Sequence, residues 1–210
     1  MRVRCIRELF SKARTMARNI CIIDGHPDGD PYRLIHSLAN AYAEGAAAAG
    51  HTVTRIKVSA LDFPLLDSIA DFETPPPEPV LSERNKIAAA DHVVILFPLW
   101  LGGMPAKLRA FFEQAARASF FIGPAKEGAH WPAKLMEGKS AHTVITMGMP
   151  GLVYRFGMDA GSLKALERGV LGLSGFKPLK HTILGGMGNV SPERYAELCE
   201  EMRGYGASAA

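Results

Sequence analysis

Residues 93–114 read VVILFPLWLGGMPAKLRAFFEQ. Val93–Phe97 carries no polar side chain, the pattern of a strand buried on both faces of a parallel sheet. A helix is predicted over Pro105–Arg117, because Leu108, Phe111, Phe112 and Ala115 recur at helical spacing. The turn between them, Pro98-Leu99-Trp100-Leu101-Gly102-Gly103-Met104, is unusual. Turns that only connect are ordinarily polar. Here Leu99, Trp100 and Leu101 offer flat apolar surface beside two glycines that let backbone approach another group closely. A planar ring stacked on backbone suits this composition, and so does Trp100 filling a local core or a dimer contact.

The alternation continues on both sides. Upstream, Asn19–Asp24 (NICIID) reads as a buried strand. A helix is predicted over Pro31–Gly50, with Asp30 as N-cap, Pro31 at N1 and Leu34, Ile35, Leu38, Ala39, Tyr42 and Ala46 on one face. A strand over His51–Val58, a loop over 59–80 with a Pro-rich segment, and a short helix over Ser82–Ala90 follow. Downstream, 118–138 reads as irregular. Strands are predicted over Ala141–Met147 and Lys177–Leu184, and helices over Ser162–Leu173 and Pro192–Met202. Five strands alternating with five helices give an α/β fold, a parallel sheet with helices on both faces. Ligands of such sheets bind beyond the carboxyl ends of the strands, which directs attention to Gly25–Pro31, Pro98–Gly103 and Met147–Tyr154.

The first of these loops, Gly25-His26-Pro27-Asp28-Gly29-Asp30-Pro31, leads from a strand into a helix N-terminus. That geometry offers backbone N–H groups and the positive dipole end to a phosphate; His26 and Arg33 are added donors. It equally serves a capped turn without a ligand. The third loop, Thr146-Met147-Gly148-Met149-Pro150-Gly151 with Tyr154 beyond, combines small residues, backbone donors and a phenol. It suits the polar edge of the same ring, or a bare connection. Two imitations are rejected. Glu137-Gly138-Lys139-Ser140 lacks the partner glycine of a P-loop, where Ala133 stands, and precedes a strand. Gly185-Gly186-Met187-Gly188 follows the last strand without dinucleotide-fingerprint spacing. There is no Gly-x-Ser-x-Gly elbow.

Composition narrows the function. The 210 residues are of single-domain size, and 48% hydrophobic content with 21% charged excludes bulk disorder. The net charge of +3 is unevenly placed. Residues 1–18 hold six basic side chains and one acid, whereas the other 192 residues hold 18 basic and 20 acidic ones. A broad basic face for nucleic acid is therefore not expected. The Arg-rich start has the composition of a targeting segment or a short basic anchor. Met16-Ala17-Arg18 runs straight into the first strand, as a start would, so residues 1–18 are expected to be an upstream start-site artefact or a tail. Three cysteines without short spacing indicate a reducing, cytoplasmic compartment and no disulfide framework. The seven scattered histidines show no metal-binding pattern. No apolar run reaches the ~18 residues of a membrane span.

Taken together, GHPDGDP (25–31), LDFPLL (61–66), FPLWLGGMPAKLRAFFEQ (97–114), GKSAHTVITMGMP (138–150) and GFKP (175–178) resemble the flavodoxin-like NAD(P)H dehydrogenase (quinone) family. The resemblance implies a single flavin-binding domain over 19–210. Its expected fold is a flavodoxin-like three-layer α/β one, with a five-stranded parallel sheet in the order 2-1-3-4-5 and helices on both faces. It implies FMN or FAD, with the phosphate on the first loop near His26, Asp30 and Arg33. Pro98, Leu99, Trp100, Leu101 and Gly103 would line the ring mainly through backbone, and Thr146, Met147, Gly148 and Tyr154 would meet its other side. Tyr154 would be catalytic, steadying charge at the pyrimidine edge. The chain departs from the family pattern in having Pro31 and Arg33 where relatives have a Ser-x-Asn pair. Ala160 replaces a histidine, and Phe120, Phe121 and Trp131 replace substrate-gating tyrosines as the acceptor pocket. The implied activity is ping-pong hydride transfer from NAD(P)H to a quinone or other flat acceptor. A flavodoxin-type electron carrier and a regulatory subunit of a potassium-efflux transporter are the alternatives. Relatives form homodimers sharing the site, to which 118–131 would contribute unless it is an internal core loop.

Overall fold

The computed structural model describes residues 16–125, 127–128 and 130–209. Residues 1–15, most of the basic segment, lie outside the described residues. In chain order the strands are β1 (Asn19–Asp24), β2 (Thr52–Lys57), β3 (His92–Pro98), β4 (Ile122–Ala125), β5 (Pro132–Lys134), β6 (Ser140–Thr146) and β7 (Leu179–Leu184). The helices are α1 (Leu34–Ala48), α2 (Ile69–Glu73), α3 (Val80–Ala89), α4 (Ala106–Ala115), α5 (Gly161–Lys164) and α6 (Pro192–Ser208). Beyond α5 the chain continues in wider helical turns through Ala165–Gly172.

Five parallel strands make one sheet in the order β2-β1-β3-β6-β7. The expected order 2-1-3-4-5 holds only when these five are counted alone. The other two, β4 and β5, form an antiparallel pair of their own inside 118–138, where the sequence predicts no regular structure. Their short IGPA and PAK segments contain proline and an irregular register, so no alternation marks them.

Side-chain alternation divides the core. Ile20 and Ile22 of β1, Val94 and Leu96 of β3, and Val144 of β6 pack with α1 and α6. Cys21, Ile23, Val93, Ile95, Phe97 and Ile145 pack in the other cluster with α3, α4 and Leu163 of α5. Each fully buried aliphatic contributes about 1.5–3 kcal/mol relative to exposure, so β3, buried from His92 through Phe97, anchors the sheet.

One helix boundary differs from its prediction in a way that shapes the site. α1 opens at Leu34, not Pro31, after an extended Arg33 and with no side-chain cap. Asp30 Oδ1 instead accepts from Tyr32 N at 3.1 Å, and Asp30 O accepts from Arg33 N at 3.1 Å. Asp30 therefore closes a turn that precedes the helix.

At the opposite sheet edge, Arg18 is tied into the fold. Its guanidinium donates to Ala209 O (3.0 Å), Asp91 O (3.1 Å) and Ser140 Oγ (2.9 Å). Beside it, His92 contacts Ser140 Oγ at 2.7 Å and Tyr42 Oη at 3.1 Å. Burial, then the Arg18 charge, pushes His92 down to about 3. Burial, then Lys180, pushes His142 down to about 4. Both are neutral when folded and take up protons more readily when unfolded. Their contribution to stability is present above the ordinary histidine value near pH 6.5 and is lost as the pH falls below it. Each histidine adds a slope of up to about 1.4 kcal/mol per pH unit. Urea midpoints measured from pH 7 down to 4.5 should fall steeply; a flat profile would contradict the buried neutral assignment.

Candidate active site

The loops after β1, β3 and β6 meet at one edge of the sheet. His26 on the first sets its ring edge-on to Trp100 on the second, with centroids 5.7 Å apart. Leu99 N donates to Thr146 O at 2.7 Å, joining the second loop to the end of β6. A Cβ on Gly102 would stand 3.0 Å from Met158 Cε, so the second loop also abuts the segment that follows the third. Beside this junction lies a cavity of about 720 Å³ lined by Trp100, Leu101, Gly103, Met104, Arg109 and Ser162, among others. That volume suits a small-molecule site.

The second loop is a tight hairpin. Trp100 N donates to Gly103 O at 2.9 Å and Gly103 N to Trp100 O at 2.8 Å. Leu101 and Gly102 at the tip both have positive φ, 46° and 77°. A two-residue turn of this kind needs left-handed backbone at both positions. The N–H groups of Leu99, Trp100 and Gly103 are thus already engaged within the fold. What the hairpin presents is side-chain surface, with Trp100 half-exposed and Leu101 fully so. Pro98 and Leu99 are half-buried at its base.

Thr146 and Met147 of the third loop are buried, and Gly148 and Pro150 are exposed. The loop is held by the segment after β7. Gly186 N donates to Met149 O and Met187 N to Met147 O, both at 2.9 Å. The glycines rejected above as a dinucleotide motif thus have a structural task.

The catalytic role expected of Tyr154 does not fit its placement. The ring is fully buried in the core, and its Oη accepts from Leu163 N at 3.0 Å. It anchors the opening of α5 beneath the cavity, and burial pushes its pKa up. Tyr154→Phe should cost about 1–2 kcal/mol by leaving a buried N–H unpaired. Loss of a hydroxyl that steadied charge at the ring edge would slow turnover by about 100-fold or more. Urea unfolding and steady-state rates of the variant separate the two, and only the stability is expected to move.

The aromatic candidates are likewise dispersed. Phe121 is buried, 6.4 Å from the Phe112 ring and 5.0 Å from that of Phe120. Phe120 lies under the Arg84 guanidinium, 4.9 Å from its ring centroid. These two are packing residues; Trp131 alone of the three is exposed.

The first loop holds the charges. Arg33 donates to Asp28 Oδ2 at 2.8 Å and approaches Asp30 at 3.6 Å, so its charge is already shared between two carboxylates. His26 is buried and accepts from Asp28 N at 3.1 Å. Burial, then the neighbouring His36, pushes its pKa down. Beneath the loop lies a group that sequence spacing did not reveal. Asp24, fully buried at the end of β1, contacts His36 Nδ1 at 2.7 Å and Arg55 Nη2 at 2.5 Å. An acid closing an otherwise apolar strand was its only signal. Among the described residues no cluster of three His, Cys, Asp or Glu side chains is arranged to hold a metal, and no helix is long and apolar enough to cross a membrane.

A flavin fits these residues. Leu34 N and Ile35 N at the start of α1 have no acceptor among the described residues, leaving donors for a phosphate. Backbone at Gly148 and Gly161 is open, with nothing within 4 Å of where a Cβ would stand. The hairpin supplies an apolar wall beside it.

The chain is similar to known proteins. NAD(P)H dehydrogenase (quinone) 1 of Rattus norvegicus is 27% identical over 142 residues, covering 66% of this chain and 51% of that protein. FMN-dependent NADH:quinone oxidoreductase 1 of Bacillus subtilis is 33% identical over 119 residues, 56% of this chain and 54% of that one. The matches thus span about half the length of these curated relatives. The NAD(P)H:quinone oxidoreductase structure from Methanothermobacter marburgensis superposes with a TM-score of 0.77 at 23% identity, over 92% of this chain and 100% of that one. A family model described as flavodoxin-like fold matches residues 18–206, and the chain belongs to that family.

Proposed function

We propose that the protein is an FMN-dependent NAD(P)H:quinone oxidoreductase working by two half-reactions at one site. The observation that carries this reading is the apolar hairpin. Trp100 and Leu101 stand exposed at the mouth of a cavity of about 720 Å³, next to a loop with free helix N-terminal donors. FMN is preferred to FAD on the name of the B. subtilis relative. When bound, the flavin would supply the chemistry, hydride transfer from NADH or NADPH to a quinone. The chain's own residues orient and shield. The α1 N–H groups receive the phosphate, Trp100 and Leu101 exclude water, and Gly148 lets backbone approach the ring. Neutral His26 fixes Asp28, and Tyr154 positions α5.

A homodimer in the cytoplasm completes the reading. Exposed Leu101, Leu152 and Phe156 suit burial against a second copy, and exposed Trp131 suits contact with the partner's site. Anaerobic mixing with NADH or NADPH, then with a quinone, tests the activity. Bleaching of the flavin followed by its return is expected. Inertness to both nucleotides would favour an electron carrier.

A further inference from the structure

We infer that His36 is a positioning residue held in its doubly protonated form, clamping the first loop and supplying buried positive charge for the phosphate of the proposed flavin. The inference rests on the flavin reading above. Its basis is that each ring nitrogen of His36 faces an acceptor. Nδ1 lies 2.7 Å from Asp24 Oδ2, and Nε2 lies 2.8 Å from the Asp28 carbonyl oxygen. A backbone carbonyl has no proton to give. Asp24 Oδ2 already accepts from Arg55 Nη2 at 2.5 Å, so it too can only accept. A neutral imidazole has one N–H and leaves one of these contacts as two facing lone pairs; only the imidazolium donates to both.

Charge gives the clamp its purpose. The ion-paired groups of the first loop are Asp24, Asp28, Asp30, Arg33 and Arg55, with His26 kept neutral by burial and by His36 and with Lys107 beyond them on Ser59 O. Within the ion-paired cluster three carboxylates outnumber two guanidinium groups. The His36 proton brings the cluster to neutrality, beside the free N–H groups of Leu34 and Ile35. The location is otherwise unfavourable, since a cation in the first turn of a helix opposes the helix dipole. The replacement of a donor by Pro31 at the mouth of the loop is thereby compensated from beneath. The clamp also fixes the loop mechanically: His36 reaches from α1 to the Asp28 carbonyl, while Asp28 itself holds Arg33.

The test compares FMN with riboflavin, which lacks the phosphate, on wild type and His36→Gln. FMN affinity should fall about 10–100-fold in the variant while riboflavin affinity changes less than about threefold, because the buried charge and the loop it clamps act on the phosphate, which riboflavin lacks. Equal weakening of both would overturn the inference and leave His36 a packing residue. Ring ¹⁵N NMR of His36 in the wild type reads the clamp without any variant. Two protonated nitrogens are expected at neutral pH, and one unprotonated nitrogen would overturn it. A wild type that binds neither flavin would instead overturn the flavin reading, and the phosphate role with it.

Discussion

Gly185→Val should empty the proposed flavin site of a chain that still folds. A Cβ on Gly185 would stand 2.2 Å from Gly151 N, 2.8 Å from Gly151 Cα and 2.9 Å from Met149 O. These are backbone atoms, so no rotamer change relieves the collision. The third loop would have to leave the segment after β7 and give up the bonds from Gly186 and Met187. The proposed ring edge would lose its wall. Fluorescence titration with FMN should show affinity weakened by about 10–100-fold, with the far-ultraviolet dichroism unchanged. A variant that keeps wild-type affinity would show that the third loop does not touch the cofactor.

The second large effect is on stability. Gly45 on α1 and Gly206 on α6 let the two helices touch backbone to backbone. A Cβ on Gly45 would meet Arg203 O at 2.0 Å, and one on Gly206 would meet Tyr42 O at 2.1 Å. Helix propensity alone favours alanine over glycine by about 1 kcal/mol. The packing opposes it, since forcing the helices apart costs about 3 kcal/mol on the scale of overpacked cores. Gly206→Ala should therefore lower the urea midpoint despite its better propensity. An unchanged or raised midpoint would refute the close crossing.

These glycines show where sequence reading stops. The apolar run at Val93–Phe97 and the helical spacing in α4 announce themselves, because burial on both faces and burial on one face leave distinct periods. β1 was likewise legible to its last residue, Asp24. The start of α1 was not. Asp30-Pro31 carries the chemistry of a cap, yet the Asp30 side chain is used on Tyr32 N, and the helix waits until Leu34. The hairpin at Trp100–Gly103 hid because Leu101, which does not favour left-handed backbone, adopts it there.

The site was legible as three loops on one edge, and less so residue by residue. Tyr154 has the right spacing for the family role but the wrong surroundings: a buried hydroxyl engaged by Leu163 N. The charged group under the first loop was invisible because it is assembled by register. β1–β2 pairing sets Ile22 opposite Arg55, and α1 returns His36 over Asp24. Separations of 12 and 31 residues leave no local pattern to read.

Whether this chain holds a flavin is tested most directly by adding FMN to the protein stripped of any bound cofactor and following flavin fluorescence to saturation. One FMN bound per chain is the expected result, with emission quenched against Trp100. A protein that leaves FMN free in solution at every concentration would contradict the account.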